Sequence, residues 1–145
     1  MHTGPPRQAT FGPHHLKFQP DTLDGVNNIT RQEPGRVWVG QQSFTESLLV
    51  PWIGELQPWQ AESFAALTPE HFQRILAMAP EVVIFGSGHR IRFPAPALLR
   101  ALIDRRIGVE TMDTPAACRT YNVLVAERRS VLAALLIESD GAGAS

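Results

Sequence analysis

Two apolar runs, Val82-Val83-Ile84-Phe85 and Val131-Leu132-Ala133-Ala134-Leu135-Leu136-Ile137, constrain this chain more than any other feature. Both are continuous rather than alternating, the pattern of strands covered on two faces. Between them lie a helical run, the short segment Gly108-Val109-Glu110-Thr111-Met112 and a second helical run. Three strands separated by two helix-length segments predict a βαβαβ unit with parallel strands. Segments 82–85 and 108–112 are then parallel neighbours joined by a right-handed crossover.

The remainder is enough for one domain only. At 145 residues and 43% hydrophobic composition the chain can bury one sizeable core. A globular domain over 15–138 is expected, between disordered tails at 1–14 and 139–145. The first tail carries Gly4-Pro5-Pro6 and Gly12-Pro13 without periodicity. Its His14-His15 pair makes no coordination sphere by itself. A single cysteine, Cys118, excludes an internal disulfide and a thiolate metal cluster. The formal net charge of −1 supplies no basic field, so no nucleic-acid partner is expected. Of the 13 basic residues only Lys17 is a lysine, which lowers the weight of any one arginine. No secretory signal is recognised, and no apolar run approaches the ~20 residues that span a bilayer. The expectation is a cytoplasmic domain with no cofactor and no metal.

Upstream of the βαβαβ unit the chain reads as an antiparallel meander of short strands. Leu16-Lys17-Phe18 alternates, and residues 20–25 carry turn chemistry. A ragged edge strand is expected over 26–31, another over 36–40, and one continuous strand over 44–50. On that last strand Phe44, Leu48 and Val50 share a face on which Glu46 intrudes. Trp52 and Trp59 read as packing at a rim or, alternatively, as a ligand cage. Thr68-Pro69-Glu70 opens a helix whose stripe is Phe72, Ile75, Leu76 and Ala79, and Pro80 ends it. His71 falls off that stripe and reads as solvated. A second helix starts near Pro96 and buries Leu98, Leu99, Leu102 and Ile103. Asp113-Thr114-Pro115 opens a third, with the stripe Ala117, Tyr121, Leu124 and Val125.

Ligands of parallel sheets bind beyond the carboxyl ends of the strands, which directs attention to loop 86–92. Gly86, Ser87 and Gly88 could cradle an anion, with Arg90 or Arg92 supplying a charged fork. Glu110 and Arg119 stand near the same end. The dinucleotide pattern fails because its third glycine falls at Ile91. A nucleophile elbow fails because Phe85 and His89 stand where glycines are needed around Ser87. The alternative is a plain turn. In that case the loop's amides go to local hydrogen bonds and both arginines lie in solvent. An anion cradle instead aims the amides at one point and draws an arginine inward. Cys118 is either a thiol activated by its helix dipole or a small packed residue. Glu110 sits at the strand's exposed end near Arg119 or pairs with an arginine inside, a structural ion pair standing against a general base, and Tyr121 and Asn122 read as buried hydrogen-bonding groups joining helix to sheet.

The residues just described also carry a resemblance. Gly86-Ser87-Gly88, the run from Gly108 to Thr114, Ala117, Thr120-Tyr121-Asn122-Val123-Leu124, and Glu127-Arg128-Arg129 with Val131, Ala133, Ala134 and Leu135 resemble one family of small domains. It includes a mitochondrial assembly factor for respiratory complex I, the adipogenesis-associated Mth938-type domain protein, and bacterial and archaeal members. The resemblance covers roughly residues 16–137. It implies an α/β fold, a compact three-layer β/β/α domain made of the N-terminal meander and the C-terminal parallel unit. It brings no catalytic residue. With no mitochondrial presequence recognised, the chain is expected to be a bacterial member. The implied function is a non-catalytic, assembly-factor-like domain whose partner is another protein. The alternative, read from the residues, is a small-molecule or anion-binding protein using loop 86–92.

Overall fold

The structure, a computed structural model, describes residues 25–138. The expected tails, Leu16-Lys17-Phe18, His14-His15 and all but Gly25 of the 20–25 turn lie outside the described residues.

Strands β1 (Ile29–Glu33), β2 (Arg36–Val39) and β3 (Gln42–Phe44) form an antiparallel sheet in that order. A second sheet combines β4 (Leu48–Pro51), β5 (Gln57–Pro58), β6 (Val82–Gly86), β7 (Gly108–Met112) and β8 (Val131–Leu135) in the order β5-β4-β8-β6-β7. The three strands anticipated from their apolar runs are all there, with β6 parallel to both β7 and β8. The meander is only partly as expected. What reads as one strand over 44–50 is two strands in different sheets, and β4 runs antiparallel to β8. The break has an electrostatic cause. A continuous strand would bury the Glu46 carboxylate beside Phe44 and Leu48, so the chain turns at Thr45 and Glu46, which stay exposed.

The central sheet is covered on both faces. Val82 and Ile84 of β6, and Val131, Ala133 and Leu135 of β8, enter one core with the small sheet and helix α3 (Thr114–Ala126). Val83 and Phe85, and Leu132 and Ala134, enter a second core with α1 (Pro69–Gln73), α2 (Arg100–Asp104) and the chain around Trp59. Successive side chains of one strand therefore serve opposite layers. Each large apolar one contributes about 1.5–3 kcal/mol.

Three packing expectations change. Trp59 is fully buried, edge-on to Phe72 and Phe85, and its indole N–H donates to the His71 carbonyl at 2.9 Å. It is core rather than rim, while Trp52 is half-buried. Ala79 leaves its stripe. It takes a left-handed conformation (φ 49°) ahead of Pro80, after the helix has tightened to 3-10 geometry over Arg74–Met78. Ile103 is 53% exposed because Pro96–Leu99 is 3-10, which shifts the helical phase so that Leu102 takes the buried position.

Candidate functional site

The chain leaving β6 is held by two glycines for different reasons. A Cβ on Gly86 would stand 2.9 Å from Thr114 Oγ1 and 3.1 Å from the Ala117 Cβ, so its absence lets α3 lie on the sheet. Gly88 has φ +108°, and a Cβ there would collide with Arg92 Nη2 and Glu138 Oε1. Between them Ser87 is buried, and its amide donates to Met112 O at 2.9 Å. The Ser87 hydroxyl accepts from Arg92 N at 2.8 Å and shares its proton between Arg90 O (2.8 Å) and Met112 O (3.2 Å). The Gly88 amide donates to Thr114 Oγ1 at 3.0 Å, and that hydroxyl donates to Leu136 O at 2.8 Å. The amides of Ser87, Gly88 and Arg92 thus go to three separate local acceptors.

The two arginines part company. Arg90 is exposed. Arg92 folds back, against the expectation that a plain turn leaves both in solvent. Its Nη2 donates to Ser87 O at 2.6 Å and reaches both oxygens of Glu138 at 2.9 Å, and its guanidinium carbon lies 5.1 Å from the Phe64 ring centre. The Glu138 side chain is only 4% exposed, so it needs this cation. His89 Nδ1 stands 3.4 Å from Glu138 Oε1. Glu110 and Arg119 are both exposed, and the structure gives no ion pair between them or to any other described residue.

Beside this network lies a cleft of about 430 Å³ at the carboxyl ends of β6 and β8. Its walls are the β1–β2 turn, Gly88-His89, Thr114-Pro115 and residues 136–138. Sequence reasoning missed Glu138, Thr114 and Arg36 here. An acid directly behind a buried parallel strand was the available signal for Glu138.

The other singled-out residues are structural. Cys118 is packed, and burial pushes its thiol up to about 12, with nearby Arg119 opposing that only weakly. Burial also raises the Tyr121 phenol, whose hydroxyl is shared between Asn27 O (2.9 Å) and Pro51 O (3.1 Å). Asn122 grips β1 by accepting from Ile29 N at 3.0 Å and donating to Ile29 O at 2.8 Å. His71 is not solvated but caps α1. Its Nδ1 accepts from Thr68 N at 2.9 Å, so Nε2 carries the proton and donates to Gln60 O at 3.1 Å.

Residues 29–136 match the model of the family described as "Protein of unknown function (DUF498/DUF598)". The chain belongs to this family. The matched stretch starts with β1 and takes in both sheets. Among relatives, the chain is 36% identical to the bovine "NADH dehydrogenase [ubiquinone] 1 alpha subcomplex assembly factor 3", over 91% of its own length and 81% of the relative's. It is 34% identical to the mouse protein of the same name, of which it spans 52%. A crystal structure from Bordetella parapertussis shares 36% identity with a TM-score of 0.75, covering 81% of this chain and 99% of that one. A solution structure from Bordetella pertussis described as a Mth938-like domain shares 30% identity with a TM-score of 0.73, covering 86% and 94%. The family's three-layer α/β fold is the one found here. No helix among the described residues is long and apolar enough to cross a membrane.

Proposed function

We propose that this chain is a non-catalytic cytoplasmic domain that binds another protein while a multisubunit NADH dehydrogenase is assembled. One observation carries the reading. The loop after β6 ties Ser87 and Arg92 inward and holds Ile91 and Phe93 outward, 48% and 70% exposed. Apolar side chains fixed in water on a braced loop suit contact with a protein surface. The assembly-factor names of the relatives support the direction of the reading. The test is purification of the tagged full chain from its native cells, with and without cross-linking, beside a deletion strain. Recovery of NADH dehydrogenase subunits, and less assembled complex on native gels after deletion, is the expected result. Normal assembly without the chain would overturn the proposal.

A further inference from the structure

A β-sheet is open wherever its last strand has no neighbour. The small sheet ends on β1 and β3. Ile29 of β1 is held by Asn122 of α3, the β1 pairing is bulged between Ile29 and Arg31, and β3 is only three residues long. The central sheet ends at one side on β5, two residues that include Pro58. These edges are covered, bent or short, as edges in folded proteins usually are. The other end of the central sheet, β7, is different. It has five residues, pairs with β6 in unbroken register and contains no proline.

Its outward groups can be named. Met112 O accepts from Ser87 N in the chain leaving β6, so Met112 turns its backbone toward β6. Backbone direction alternates along a strand, so Gly108 and Glu110 do the same, while Val109 and Thr111 aim N–H and C=O away from the sheet. No described residue bonds to those four groups. The edge is in solvent: Gly108 and Glu110 are exposed, and a Cβ on Gly108 would meet nothing within 4 Å. Glu110, between the two outward residues, is the one charge on the strand and has no ion pair among the described residues. That carboxylate decides the occupant. Two copies using all four groups would pair Val109 with Thr111 across a two-fold axis and set Glu110 against Glu110, which is unfavourable. A strand with lysine or arginine at that position gains instead. Val109, beside Val83 at the margin of the second core, offers an apolar neighbour to a residue flanking the basic one.

We propose that β7 accepts an extended segment of another protein as an added antiparallel strand, with a basic residue opposite Glu110 and β-branched residues on either side of it. This surface is separate from the loop bearing Ile91 and Phe93, so either proposal can fail alone. The test titrates two capped peptides into the isotopically labelled full chain at low ionic strength: Ser-Thr-Val-Lys-Val-Thr-Ser, and the same sequence with glutamate in place of lysine. Backbone amide shifts give both location and affinity. Saturable shifts centred on Val109, Glu110 and Thr111 are expected at millimolar peptide, with the lysine peptide about threefold tighter. Glu110→Lys should reverse that preference. Thr111→Pro removes an outward N–H without touching the β6 ladder and should abolish binding of both peptides, with spectral dispersion as the check that it folds. Should it not fold, hydrogen exchange of the wild-type chain decides, since added peptide should slow Val109 and Thr111. No saturation, shifts centred elsewhere, or equal binding of the two peptides would overturn the inference. So would a dimer of the chain alone, seen by sedimentation and lost in Thr111→Pro, or exchange already slow at Val109 and Thr111 before peptide is added.

Discussion

Truncating Arg92 leaves the Glu138 carboxylate buried without its cation. Arg92→Ala should cost about 2–4 kcal/mol, toward the low side for a buried pair because Arg92 is itself 19% exposed. Arg90→Ala should stay within about 0.5 kcal/mol. Urea unfolding of the two variants checks this, and equal midpoints would contradict the assigned contact. In the sequence Arg90 and Arg92 look alike. What separates them is Glu138, 46 residues further along, which no local pattern connects to the loop. Cys118 gives a pH prediction. Burial raises its folded pKa, so the unfolded thiol ionises above about pH 9 while the folded one keeps its proton until about 12. Stability is therefore complete below that window and falls as pH rises through it, by up to about 1.4 kcal/mol per unit. Cys118→Ala should lower the overall stability yet flatten its decline between pH 9 and 11, as followed by denaturant titration.

At the level of elements, α3 is joined to the rest by small contacts that can be removed singly. Asn122→Ala strips both hydrogen bonds from Ile29 and should cost about 2 kcal/mol, with hydrogen exchange accelerated first in β1. Exchange unchanged in β1 would show that α3 does not hold that strand. Gly86→Ala would force α3 off the sheet and should cost about 1–3 kcal/mol, read from the unfolding midpoint. The helix was legible from its Asp113 cap, which accepts from Ala116 N at 2.8 Å, and from its apolar stripe. The two shorter helices were legible in position but not in phase. Their 3-10 turns moved Ala79 and Ile103 out of the core, and periodicity alone does not distinguish 3.0 from 3.6 residues per turn.

Over the whole molecule, the continuous apolar runs made the layered fold readable, because a strand that is apolar on both faces must be covered on both. The assignment of β3 and β4 to different sheets was hidden, since one uninterrupted pattern spans both. The cleft was hidden for the same kind of reason: the β1–β2 turn and the end of β8 meet only after the two sheets have packed. The outward loop bearing Ile91 and Phe93 is where the account meets its function. The most direct measurement is complementation of a deletion strain by a chain carrying Ile91→Ser and Phe93→Ser. Both side chains are largely exposed, so the variant should unfold at nearly the wild-type midpoint. The account predicts that the wild-type chain restores assembled NADH dehydrogenase on native gels and that this stable variant does not. Full restoration by the variant would contradict it.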